Sequence, residues 1–184
     1  MNFHRKTIYF EFIFTTNCFL FFFFLVQSDA PIIVLLSRQD SQLYRTFVQY
    51  LLSQDVVLII FSSEQYLSQW LIQNSSLNIT NLVLESLYCT RQFIFDCHSI
   101  KNVHSILIYC HENEFCDLER YTRRLPKVDG IYTDDIRLLM KLVVNQIFLA
   151  EQLGDEAKYE NRNELKAQRN YDRAVRFCEL IENI

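Results

Sequence analysis

Cys110-His111, Cys97-His98 and Cys116 are the residues whose types could do thiol or metal chemistry in this sequence. A cysteine beside a histidine can supply a thiolate and its base, and the two residue types together make a zinc donor set. Their spacing matches no zinc pattern, however, and a cysteine that ends a buried strand usually serves as a small hydrophobe. Asp134-Asp135 is a carboxylate pair of the kind that holds magnesium. Such a site also needs acidic residues after the first strand and a lysine after the last, where this chain has Ser37-Arg38-Gln39 and Thr133. Helix capping is the better account of Asp134. The expectation is a protein that is not an enzyme, with no catalytic residue, cofactor or metal.

Composition narrows the field further. The two glycines, Gly130 and Gly154, are too few for a dinucleotide fingerprint, a P-loop or a Gly-x-Ser-x-Gly elbow. A formal net charge of -4 without any basic run argues against nucleic acid as a partner. With 184 residues, half of them hydrophobic and 15% aromatic, the chain can bury one sizeable core plus an appendage.

The elements that must position these residues alternate between apolar runs and helical patterns. The runs predict strands at 32–36, 56–61, 82–86, 105–110 and 128–132. Continuous apolar strands are buried on both faces, which calls for helices above and below a parallel sheet. The fold class is therefore α/β, an open, mainly parallel five-stranded sheet with helices on both faces, plus a C-terminal helical extension. Asp40 or Ser41 caps the first helix, and Phe93-Ile94-Phe95 reads equally as strand or helix. Gly130 admits the close approach of a helix to the last strand. A long apolar helix runs from Ile136 to Leu153, where Gly154 breaks it.

Three segments follow: an apolar leader at 1–30, the α/β domain at 31–153 and a charged helical segment at 154–184. In the leader, His4-Arg5-Lys6 precedes an apolar stretch ending in Val26-Gln27-Ser28, which fits a signal peptide, an anchor or a plain extension. A membrane would be met only through residues 7–26, and the chain is cytoplasmic if the leader is not a genuine one. Two sequons, Asn74-Ser75-Ser76 and Asn78-Ile79-Thr80, matter only on the secretory route.

Ser105-Ile106-Leu107-Ile108-Tyr109-Cys110, a polar helix, and then Pro126-Lys127-Val128-Asp129-Gly130-Ile131-Tyr132-Thr133-Asp134 carry a family likeness. This stretch resembles an uncharacterised α/β module that precedes tetratricopeptide arrays or arginine-type ADP-ribosyltransferase domains in large invertebrate, especially rotifer, proteins. The tryptophan usual between the two motifs is absent here, and the resemblance carries no catalytic residue. Ala167-x-x-x-Tyr171-x-x-Ala174-Val175 resembles the second helix of a tetratricopeptide repeat, with Leu153-Gly154 one residue too far upstream for the first. An ordinary amphipathic helix would give the same pattern. Ser62-x-x-x-Tyr66-x-x-x-Trp70 faintly resembles a strand–helix junction of TIR domains, but Asn74 stands where that family has its catalytic glutamate.

Two functions fit. One is a non-catalytic interaction or regulatory module with a protein partner, within or between chains, that positions a helical-repeat or catalytic neighbour. Its candidate interaction face is Tyr171, Ala174, Val175 and Cys178, with Arg173 on the opposite side. The other is a secreted or membrane-anchored α/β domain that binds a small ligand at the carboxyl ends of its strands.

Overall fold

The computed structural model describes residues 8–11 and 30–184. The leader therefore lies outside the described residues apart from Ala30 and the strand β1 (Ile8–Glu11). The chain divides into two compact units, the first ending at Asp135 and the second running from Ile136 to Ile184.

All five expected strands form: β2 (Ile32–Leu36), β3 (Val57–Phe61), β4 (Ile79–Glu85), β5 (Val103–Tyr109) and β6 (Val128–Tyr132). Every pairing is parallel, in the order β1-β3-β2-β4-β5-β6. β1 adds an edge strand that the apolar runs from residue 32 onward do not contain. It pairs Ile8 with Val57 through to Glu11 with Ile60. Every residue of β2, β3 and β4 is buried, as continuous apolar runs require.

Between the strands lie α1 (Gln42–Leu51), α2 (Glu64–Gln73), α3 (Arg91–Ser99) and α4 (Glu112–Thr122). Val34, Leu36, Ile59, Phe61, Leu82, Leu84, Ile106 and Ile108 form one core with Leu67 and Trp70 of α2, Phe93 and Ile94 of α3 and Leu118 of α4. Strand alternation turns Ile33, Leu35, Leu58 and Ile60 to the other face. The crossover carrying α1 runs in the opposite sense along the sheet, which brings its buried Leu43 and Phe47 there. Ser41 caps α1, its Oγ accepting from the Tyr44 amide at 3.0 Å. The ambiguous Phe93-Ile94-Phe95 is helix: the Thr90 hydroxyl caps it at the Phe93 amide, and Phe95 points outward.

Gly130 departs from expectation. A Cβ there would meet the ring of Tyr132, 2.6 Å away, so the space is filled by the strand's own tyrosine and not by a helix. The long helix α5 (Asp135–Asp155) likewise runs through Gly154. One turn of π-helix (Glu156–Glu160) follows, and α6 (Glu164–Glu182) returns. No helix among the described residues is long and apolar enough to cross a membrane.

Candidate functional site

The strand order reverses between β2 and β4: β3 lies on one side of β2, and β4 and β5 follow on the other. In open parallel sheets the crevice for ligands lies beyond the carboxyl ends of the strands at such a reversal. Here those ends carry serine where phosphate-binding folds carry glycine. Ser37 follows β2, Ser62-Ser63 follows β3, and Ser86 follows β4.

Glu85, the last residue of β4, sits at the reversal with only 4% of its surface exposed. A buried carboxylate needs hydrogen-bond donors. Ser37 donates to Glu85 Oε2, and with that proton committed its oxygen accepts from the hydroxyl of Ser41, the cap of α1. Burial raises the Glu85 carboxyl above its usual range, against the lowering effect of Ser37, Ser41 and His111. Nearby, the Arg38 guanidinium lies 5.9 Å over the Tyr88 ring. Burial, then Glu85 and Asp40, raise the Tyr88 phenol, with Arg38 acting the other way.

Two cavities flank the turn that follows β4. The larger, an open surface groove of about 700 Å³, is lined by Ser62, Ser63, Glu64, Gln65, Ser68, Gln69 and Tyr88. Ser63 stands at the N-cap of α2 but makes no side-chain capping bond. Glu64 is committed elsewhere, its carboxylate accepting from the Thr90 amide at 2.6 Å and the Thr90 hydroxyl at 3.2 Å. The smaller cavity, about 260 Å³, lies between α3 and α4 and includes Cys89, Arg91, Glu114 and Asp117. Its charges are spent internally: Ser86 donates to Glu114 at 2.7 Å, and Arg91 stands 3.7 Å from Asp117.

The residues singled out for thiol or metal chemistry do not come together. Among the described residues no group of three or more histidine, cysteine, aspartate or glutamate side chains is placed to hold a metal. Cys110 is buried, and burial followed by the charge of Glu114 pushes its thiol up to about 11. Cys97 is buried too, and Cys116 is exposed. Asp135, the second of the carboxylate pair, accepts from Thr46 and Gln42 of α1. Asn74 is buried, its amide donating to the Trp70 carbonyl at 2.7 Å at the end of α2. Asn78, the other sequon asparagine, is exposed beside His104.

In the second unit the candidate interaction face splits. Ala174 is buried and Tyr171 half-buried, whereas Val175 is 57% exposed and Cys178 exposed. The buried stripe of α6 is Ala167, Asn170, Arg173, Ala174, Phe177 and Leu180. Arg173, expected on the open side, is buried, its Nη1 donating to Asn170 Oδ1 at 3.0 Å. Tyr171 donates its hydroxyl to Asp155 at 2.6 Å, a bond that raises its phenol to about 12.

Glu85 is the residue that sequence reasoning missed. The signal was a lone carboxylate closing the apolar run Leu82-Val83-Leu84, where alternation and depth both predict burial. No family model, curated protein or solved structure matches this chain.

Proposed function

We propose that this chain is a non-catalytic interaction module: an α/β unit that carries a helical hairpin on which a helical-repeat neighbour docks. The observation that carries this reading is the register of the hairpin. A tetratricopeptide repeat places Leu-Gly-x-x-aromatic on its first helix and Ala-x-x-x-aromatic on its second. Leu153-Gly154 stands one residue early for Ala167-x-x-x-Tyr171, and the π-helical turn at Glu156–Glu160 accommodates one extra residue between them, although Ala157 stands where the first-helix pattern has its aromatic. Gly154 then meets the Tyr171 ring, and Ala157, Ala167 and Ala174 are all buried. Small residues at such positions let two helices approach closely.

A repeat hairpin cannot bury its outer face alone, and the exposed Val175 and Cys178 supply an apolar surface for the next hairpin. At the strand ends, the acidic groups most suited to proton transfer are engaged: Glu85 with Ser37, Glu114 with Ser86 and Glu64 with Thr90. Cys110 stays protonated near neutral pH, which argues against thiol catalysis at that position.

The test is to fuse a consensus helical-repeat hairpin after Ile184 and follow hydrogen exchange in α6. Amide protection across Glu164–Glu182 should rise in the fusion, and Val175→Glu with Cys178→Glu should cancel the rise. Equal protection with and without the added hairpin sinks the reading.

A further inference from the structure

We propose that Glu85, Ser37 and Ser41 form a pH-sensitive switch on the first turn of α1, in which ionisation of Glu85 tightens the cap at Tyr44 and its protonation loosens it. This goes beyond the docking role, because it concerns the α/β unit alone and makes no use of the hairpin.

The switch is a chain of three hydrogen bonds between two elements. Ser37 donates to Glu85 Oε2, Ser41 donates to Ser37, and Ser41 in turn accepts from the Tyr44 amide at 3.0 Å. Glu85 is the last residue of β4, and the parallel pairing of β2 with β4 is what brings Ser37 against it. Glu85 is 4% exposed and Ser37 1%, so the inner two groups are shielded from water, while Ser41 is half-buried. The only group of the chain that changes charge is therefore at its buried end, and the helix cap is at the other.

Charge decides how tightly the chain is drawn. A hydrogen bond to a carboxylate is roughly twice as strong as one to a neutral acceptor. In a low-dielectric site a hydroxyl that donates strongly also accepts better, so an ionised Glu85 strengthens the Tyr44 bond two links away. Protonation removes that polarisation, and the Arg38 carbonyl, 3.4 Å from the Ser37 hydroxyl, offers its proton another acceptor. The local effect runs against the global one. Burial raises the Glu85 carboxyl, so the unit as a whole loses stability as pH rises through the raised value, while the cap tightens over the same range.

Several titratable groups face this carboxyl. Ionisation of Glu85 is opposed by Asp40, in the turn after β2, and favoured by His111, the N-cap of α4. Tyr88, Cys89 and Tyr109 also feel Glu85, but burial is the main cause that raises each of them, so all three are neutral where a carboxyl titrates. Arg38 lies over the Tyr88 ring. Asp135 is the other acid that touches α1, through Gln42 and Thr46.

The experiment is a pH titration of the full chain by nuclear magnetic resonance, following the side-chain carboxyl carbon of Glu85 and the amide of Tyr44. Both should move with one midpoint, above the ordinary 4.5 of a glutamate. In Glu85→Gln the Tyr44 amide should stay still over that range. In Ser37→Ala its movement should fall by roughly half or more while Glu85 still titrates, because the link between them is cut. Asp40→Asn and Asp135→Asn should leave the movement in place. The remaining amide spectrum reports whether each variant is folded, and if Ser37→Ala does not fold the other three variants decide. A Tyr44 amide that does not titrate in the wild type overturns the proposal. So does a movement that survives Glu85→Gln, that is undiminished in a folded Ser37→Ala, or that disappears in either aspartate variant.

Discussion

Adding a single methyl group at Gly154 sets two effects of opposite sign against each other, and the geometry decides between them. In an open helix interior, Gly→Ala stabilises by about 0.8–1.0 kcal/mol, because alanine loses less backbone freedom on folding. A Cβ at Gly154, however, would lie 2.5 Å from Tyr171 Cε1 and 2.8 Å from Cδ1. Carbon atoms in contact prefer about 3.5–4.0 Å, so the ring must retreat by roughly 1 Å. Tyr171 is half-buried, and a retreat of its ring strains or breaks the bond from its hydroxyl to Asp155, on the same helix as Gly154. Overpacking of this kind costs about 1–3 kcal/mol, which outweighs the gain in propensity and leaves a net loss of roughly 1–2 kcal/mol. Replacing Tyr171 by alanine removes the obstacle. In that background Gly154→Ala should stabilise by up to about 1 kcal/mol, so the effect changes sign. Urea unfolding read by hydrogen exchange over residues 136–184 isolates the helical unit, whose transition need not coincide with that of the α/β unit. Stabilisation by Gly154→Ala in both backgrounds would refute the argument, because the Tyr171 ring would then not be the constraint.

Glu85→Gln tests the buried carboxyl. Its carboxyl pKa is raised above the ordinary 4.5, so the folded state binds the proton more tightly than the unfolded chain. The stability it contributes is full below that ordinary value and is lost as pH rises through the raised one. Relative to the wild type, Glu85→Gln should gain stability between acidic and neutral pH, as read by thermal melts across that range; a constant difference would contradict the assignment. In the native protein near neutral pH, iodoacetamide should modify Cys116 and Cys178, which are exposed, well before the buried Cys97 and Cys110. Peptide mapping showing Cys110 modified as fast as Cys116 would revive thiol chemistry at the strand end. On α6, Arg173→Glu should destabilise by more than about 2 kcal/mol, since it puts a carboxylate in a buried position, while Val175→Glu should stay within about 0.5 kcal/mol. Chemical denaturation giving the two substitutions equal effects would show that the buried stripe is misplaced.

The sheet was legible because its strands are continuous apolar runs, a pattern that the core of a parallel sheet produces and an exposed helix does not. Phe93-Ile94-Phe95 was not legible for the converse reason. Three adjacent apolar residues satisfy either period, and only the Thr90 cap and the outward turn of Phe95 decide for helix. Gly154 misled for a tertiary reason: it reads as a helix stop, yet its small size serves the tyrosine ring of the returning helix. The face of α6 was misread because Arg173 reads as solvent-facing. Its buried guanidinium instead donates to Asn170, while the apolar Val175 is left outside. Of the candidate site, the serines after β2 and β3 were visible as strand-end residues. Glu85 fell inside the strand expected at 82–86 but was not singled out, because its partner Ser37 lies 48 residues away in sequence and only the parallel pairing of β2 with β4 brings the two together.

Glycine poverty also shapes the hydrogen bonding at the strand ends. A phosphate-binding loop exposes bare backbone amides, which requires residues without side chains at the turn. This chain puts serines there, and their hydroxyls are divided by direction. Ser37 spends its hydroxyl on the buried Glu85 and so offsets the cost of burying that carboxylate, while Ser86 donates to the half-buried Glu114. Ser62 and Ser63 leave theirs facing the cavity. The inward pair ties the turns after β2 and β4 to neighbouring elements, Ser37 to the end of β4 and Ser86 to the first turn of α4.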